Sequence, residues 1–451
     1  MAQNGLIEPA ALTSVFIVFV YSAKQVYASN PSFMWDYLRA CVGKRNFATQ
    51  FFPTMYSCLA MTNFKELFDN VIDRHSTCAV KYEMLDELYG RHDLLPMWVA
   101  DMDLPVMPEI TEALARRLSH PVFGYSVPPE SYWQAIIDWQ RSRNGFEIRR
   151  DDLLHVPGIV KGIAYAINRF TDVGDRVVIQ PPVYHPFRNV AEANRRVVVE
   201  NPLVETSDGY EMDLNHLEHV FATERPKLMI LCNPHNPIGI CWPADVLGQV
   251  AALARQYGVV VVSDEIHGDL IHKGFRHTPF ASVSDDAAAV SVTFGAPSKT
   301  FNVAGITGSW CVVKNPELRE RFFTWMEANG FAEASLEAPI VAEAAYRHGA
   351  EWVDNLVEYI AGNVAALESA LAAALPEVRV IRPQASFLVW LDFRRLRLDH
   401  DALIDRIVNH ARLALNDGAM FGRQGDGFMR MNVGCPRAVV AEAADRLARA
   451  F

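Results

Sequence analysis

Short apolar runs recur along the middle of the chain: Leu153 to Val156, Arg176 to Gln180, Arg195 to Glu200, Leu228 to Leu231, Val259 to Ser263 and Ala289 to Phe294. Several are rich in β-branched residues without polar alternation, as expected of strands buried on both faces. Between them lie amphipathic stretches with helical spacing. One opens at Pro157-Gly158 and runs toward Phe170. Others span Asp213 to Thr223 and Pro243 to Tyr257, the latter with Gly258 as its stop. Alternation of strand and helix from Val156 to Val313 predicts an α/β fold: a mostly parallel sheet sandwiched by helices. Upstream, Asp93 to Asp103 reads as a strand and a turn closing on acids. Pro108 to Leu118, with proline near its start, and Ser131 to Asn144 read as helices. Downstream, Glu317 to Ala328, Ala334 to Tyr346 and Glu351 to Leu375 are helical, and the last is expected to link two domains. Strands at Val378 to Ile381, Phe387 to Asp392 and Phe428 to Asn432 then combine with helices at His400 to His410 and Arg437 to Ala450. These make a small α+β domain.

The polar residues that follow these strands carry the chemistry. Leu228 to Leu231 leads into Cys232-Asn233-Pro234-His235-Asn236-Pro237, and Val259 to Ser263 into Asp264-Glu265-Ile266-His267. Ala289 to Phe294 leads into Ala296-Pro297-Ser298-Lys299-Thr300-Phe301-Asn302. Open α/β sheets bind ligands at the carboxyl ends of their strands. Most lysines lie on surfaces with their stems along apolar neighbours. A lysine in a tight, semi-apolar loop can instead form an imine with a carbonyl. Lysine, aspartate and asparagine at three strand ends match the needs of pyridoxal phosphate (PLP): a lysine for the aldehyde, an acid for the pyridine nitrogen and an amide for the ring hydroxyl. The helix opening at Ile159 and Val160 offers unpaired N–H groups to a phosphate, and no Walker or dinucleotide spacing competes with this. Tyr184, on the loop after Arg176 to Gln180, can cover one face of a flat ring. His267 and His272 lie among Asp264, Glu265 and Asp269, but the spacing is not H-E-x-x-H, and no metal is expected.

With "NPHNP", "SDEIH" and "APSKTFNVAG" in that order, the chain resembles the fold-type I PLP enzymes of the aminotransferase superfamily. "MWVADMD" at Met97 to Asp103, "VFGYS" at Val122 to Ser126 and "MRMNVGCP" at Met429 to Pro436 are similar to the cystathionine β-lyases of the MalY/PatB type. The resemblance spans roughly Met61 to Phe451. It implies that Lys299 carries PLP, Asp264 pairs with the ring nitrogen and Asn236 with the ring hydroxyl. It further implies that His267 lines the ring and Tyr184 stacks on it. Ile159, Val160 and Ser298 hold the phosphate, helped by Tyr125 from a partner subunit of a homodimer. Arg430, with Asn236, takes the substrate carboxylate; from alternation alone, Arg430 could equally face solvent. The implied activity is β-elimination from cystathionine or another cysteine S-conjugate, releasing thiol, pyruvate and ammonia. Two other readings stay open: a class I/II aminotransferase, which shares the steps up to α-proton removal, and a regulatory protein that keeps the fold. Two positions depart from common relatives. Ala296 stands where many carry a hydroxyl, and Thr307 where aspartate-type aminotransferases carry an arginine. Losing one charge-assisted phosphate contact would weaken retention by ~1.5–3 kcal/mol.

Composition narrows the setting. At 451 residues the chain is long enough for two domains. The expected division is 61–110 with 351–451 as the small domain and 111–350 as the PLP-binding one. A net charge of -11 argues against nucleic acid as a partner. Seven cysteines without a C-x-x-C pair suit a reduced, cytoplasmic protein, with Cys232 and Cys311 as core fillers. The apolar run between Ala11 and Tyr21 is too short to span a bilayer and lacks preceding basic residues, so no membrane association is expected. Residues 1–60 are expected to be a weakly ordered extension outside the catalytic fold.

Overall fold

The structure, a computed structural model, describes residues 63–451 apart from Asp208. The expectation for residues 1–60 lies outside the described residues. Strand β1 (Leu95–Pro96) is brief. β2 (Leu153–Val156), β3 (Arg176–Ile179) and β4 (Val197–Glu200) follow, then a hairpin of β5 (Val204–Thr206) and β6 (Gly209–Glu211). β7 (Leu228–Cys232), β8 (Val260–Asp264), β9 (Ser291–Gly295) and β10 (Ser309–Val312) complete the middle of the chain. The C-terminal part holds β11 (Arg379–Ile381), β12 (Leu388–Asp392), β13 (Leu413–Ala414), β14 (Asn416–Asp417) and β15 (Phe428–Asn432).

Seven strands form one sheet in the order β2-β10-β9-β8-β7-β3-β4. Only β10 runs antiparallel to its neighbours, so the expectation of a mostly parallel sheet holds. Alternate side chains of β7 serve opposite cores. Leu228, Ile230 and Cys232 pack with Ile163, Ala166 and Phe187 on one face. Met229 and Leu231 pack with Leu217, Phe221 and Val250 on the other. Full burial of a leucine or isoleucine contributes roughly 1.5–3 kcal/mol, which explains why β7 and β8 carry such unbroken apolar runs. The covering helices end where their local sequence directs. Asp213 caps Leu214–Glu224 by accepting from the His216 N–H at 2.9 Å. Gly258, at φ 69°, closes Ala244–Tyr257 in the left-handed region.

A second, four-stranded sheet runs β11-β12-β15-β14. Its apolar side chains, among them Leu388, Met429 and Met431, join the core under Ala350–Ala374 and Arg437–Ala450. Three local expectations need correction. Asp93 to Asp103 is extended only at β1, which pairs with β13; the rest is a loop, because other groups take up its backbone. His400 to His410 divides into an α-helix to Asp405 and a π turn from Arg406. Lys299 lies on one turn of helix, Pro297–Thr300, rather than in a tight loop.

Gly295 ends β9 just ahead of that turn. A Cβ there would lie 2.2 Å from the Trp310 ring. Trp310 is buried and donates to the Tyr346 hydroxyl at 3.0 Å, so it cannot swing away freely. Gly295→Ala is expected to destabilise the protein by about 1–3 kcal/mol through overpacking. Urea unfolding measures this, and an unchanged midpoint would show that the ring yields.

Candidate active site

Parallel register brings the chemistry together. Cys232 stands opposite Asp264, and Asp264 opposite Phe294, so β7, β8 and β9 end at one level. The segments that follow surround a cavity of about 300 Å³. Lys299, Asp264, Asn236, His267, Tyr184, Ile159, Val160 and Ser298 all line it. Of the residues expected at the site, Arg430 lies just behind that lining and Tyr125 lies away from it.

Lys299 is partly buried, and its Nζ donates to the Ala100 carbonyl at 2.6 Å. Burial lowers its pKa to about 8, opposed by the nearby Asp101 carboxylate. Asp264 has the opposite problem. Burial raises its carboxyl to about 7, although it accepts from the Ile266 N–H at 3.1 Å. A cationic ring nitrogen beside it would restore the charged form. Burial takes His267 down to about 3, so its ring is neutral, and its Nδ1 has no partner among the described residues. Burial also raises the Tyr184 hydroxyl.

Arg430 does not face solvent. It is 4% exposed, and all of β15 is buried. Its guanidinium donates to Asn236 Oδ1 at 3.0 Å, the Trp98 carbonyl at 3.1 Å and Asn416 Oδ1 at 2.5 Å. Its Nε is buried without a partner among the described residues. Burial lowers its pKa to about 10, so it stays cationic at neutral pH. Because arginine only donates, Asn236 must turn its oxygen to Arg430, which leaves Nδ2 as its donor on the cavity side. One amide thus links the arginine to the cavity wall.

A candidate phosphate seat opens at the start of Ile159–Phe170. Gly158, at φ 110°, turns β2 into that helix, and its N–H donates to Ser309 Oγ at 3.0 Å. Ser309 Oγ in turn donates to the Val156 carbonyl at 2.8 Å. The first N–H groups of the helix stay free for an anion. Thr307 and Ser309 also line the cavity. Ser309 and Asn416 were not expected at the site; the backbone of the Asp93 to Asp103 loop was expected over it by resemblance, but not the contacts of the Trp98 and Ala100 carbonyls with Arg430 and Lys299. A backbone carbonyl has no sequence signature, and Asn416 lies on a two-residue strand. The residues fit PLP: a buried acid, an amide donor, an orphaned imidazole nitrogen, an amine of lowered pKa and a free helix terminus surround one cavity.

A largely parallel sheet with lysine, aspartate and asparagine beyond adjacent strand ends defines the fold-type I PLP-dependent class. The chain belongs to the class I and II aminotransferase family, whose profile matches residues 93–447. It is 41% identical to the cystathionine β-lyase PatB of Bacillus subtilis (strain 168), over 85% of this chain and 99% of that protein. It is 34% identical to the protein MalY of Escherichia coli (strain K12), over 82% of this chain and 95% of that one. Cystalysin of Treponema denticola, solved with pyridoxal 5'-phosphate, superposes with a TM-score of 0.82 at 32% identity. That alignment covers 85% of this chain and 98% of cystalysin.

The Asp264 carboxyl makes a prediction for the cofactor-free protein. Its folded pKa, about 7, lies above the ordinary 3.8, so between these values the folded chain binds more protons than the unfolded one. Stability from this group is therefore complete at low pH and falls as pH rises through that window, by on the order of a few kcal/mol. Asp264→Asn should lose that decline and melt above the parent at pH 8. Identical pH slopes in thermal melts of the two proteins would contradict the assignment.

Proposed function

We propose that this protein is a PLP-dependent carbon–sulfur β-lyase acting on cystathionine or another cysteine S-conjugate. The observation that carries the reading is the Asn236 bridge, which sets a cationic Arg430 behind the cavity that Lys299 and Asp264 line. The identity to PatB supports the choice of reaction.

PLP, when bound, supplies an electron sink for negative charge developing at the substrate α-carbon. The chain's residues do the rest. Arg430 holds the substrate carboxylate with its unspent N–H groups, a task suited to a planar, always-charged fork. The Lys299 amine removes the α-proton; a pKa near 8 leaves it able to accept and release that proton near neutrality. Asp264 keeps a proton on the ring nitrogen, and the Asn236 amide donates to the ring hydroxyl. Tyr184 and His267 line the ring. Ile159, Val160 and Ser298 receive the phosphate, so the missing hydroxyl at Ala296 is offset by backbone donors. Departure of the sulfur substituent from Cβ follows loss of the α-proton, and hydrolysis then leaves pyruvate and ammonia.

The same reading makes the protein a cytoplasmic homodimer with shared sites. Cys78, Cys232, Cys241, Cys311 and Cys435 are free thiols, in keeping with a reducing compartment. Val122, Phe123, Tyr125 and Val127 are all strongly exposed in the single chain. Such a run favours cover by a second copy. The domain division at 110 and 350 likewise belongs to this reading.

Incubation with PLP and cystathionine should yield pyruvate and free thiol without any keto acid. Turnover that requires a keto acid would point to transamination instead. Lys299→Ala should lower the rate by about 10²–10⁴-fold or more while the protein stays folded; near-parental elimination would remove the lysine from the mechanism. For the shared site, Lys299→Ala and Tyr125→Phe chains should be mixed. Mixed dimers should regain one parental-like site, with its lysine from one chain and its tyrosine from the other. Cofactor affinity no better than in the Tyr125→Phe homodimer would rule out sharing.

A further inference from the structure

The loop from Met97 to Asp103 meets both cations of the site. The Trp98 carbonyl accepts from Arg430 and the Ala100 carbonyl from Lys299. Behind the loop lies an ionic cluster from the start of the described chain. Arg74 pairs with Asp101 at 2.7 Å and with Asp103 at 2.6 Å. Lys81 pairs with Asp103 at 2.6 Å and stands 3.8 Å from Asp101. The Lys81 side chain is 1% exposed, and its own carbonyl accepts from the Trp98 indole at 3.0 Å.

Two amides hold the loop backbone, beside the longer contacts, at 3.4 Å, of Arg74 with the Met102 carbonyl and of Lys81 with the Asp101 carbonyl. Asn302 donates to the Met102 and Leu104 carbonyls and accepts from the Met102 N–H. Asn432 donates to the carbonyls of Val99 and Asp101. With the main chain fastened by two amides, the cations act chiefly on the charge of the acids. Asp101 directly follows the carbonyl that receives Lys299. It supports the charged form of that amine, as Asp264 does from β8, whereas Arg430 on β15 opposes it.

We propose that Arg74 and Lys81 are positioning residues that set how much of the Asp101 charge reaches the Lys299 nitrogen, both as the free amine and when it holds the cofactor. The proposal rests on Lys299 being the cofactor lysine. Arg74 grips Asp101 with both ends of its fork, at 2.7 and 3.3 Å, and draws the carboxylate charge outward. Lys81 saturates Asp103, so that this second acid adds little negative field. Removing the Arg74 charge exposes Lys299 to a stronger anion. Removing the Asp101 charge withdraws the anion altogether. The two changes act on the amine with opposite sign.

The test is a pH titration of the visible absorbance of the PLP-loaded protein, which does not depend on turnover. Arg74→Met should raise the midpoint and Asp101→Asn should lower it, each by about half a pH unit or more. Arg74→Lys, which keeps the charge, should return the midpoint toward the parent. Circular dichroism checks folding; if Arg74→Met does not fold, Arg74→Gln is read in its place, with the same rise expected. Shifts of the same sign, or unmoved midpoints in folded protein, overturn the proposal. They leave the functional reading intact. Absence of any visible band in the parent after PLP addition overturns both.

Discussion

Strands β7, β8 and β9 pair in parallel, with Cys232 opposite Asp264 and Asp264 opposite Phe294. Parallel neighbours all present the same end to the same side, so whatever follows each strand converges there. A slip of one residue would turn Asp264 to the opposite face of the sheet and into an apolar core. The register is held because the side chains of β7 and β8 are buried alternately in two distinct cores. The chemistry at the strand ends therefore depends on the apolar packing of strands that carry none of it.

That arrangement buries charge, and the structure offsets the cost with neutral dipoles as much as with ion pairs. Isolated buried ions are expensive. Arg430 is surrounded by two amide oxygens and a carbonyl rather than by a carboxylate. Its charge is thus solvated but not cancelled. Lys299 is handled the same way by the Ala100 carbonyl. Both carbonyls belong to one loop, so the loop after β1 sets the spacing between the amine and the guanidinium.

Most of the elements were legible in the sequence, because periodicity and caps act locally. Pro108–Leu118, Leu153–Val156, Phe428–Asn432 and Arg437–Ala450 stand where the pattern put them. Misjudged stretches answer to longer-range forces. Asp93 to Asp103 has a strand-like pattern, but Asn302 and Asn432 take up its backbone groups from far along the chain. Arg430, flanked by methionines, gave no local sign of whether it faced solvent or the interior. The Asn236 segment and the loop carrying Trp98, both packed against the side chain, settled that.

The sequence by itself determined the fold class and placed a lysine, an aspartate and an asparagine at strand ends, because strand-end position and side-chain chemistry can both be read along the chain. Only the tertiary structure decided which groups face them. Asn236 turns its oxygen to Arg430, the Trp98 and Ala100 carbonyls hold the two cations, and Arg74 with Lys81 backs Asp101. These partners lie tens to hundreds of residues apart. Backbone carbonyls, moreover, are the same at every position, so their selection is made by packing alone.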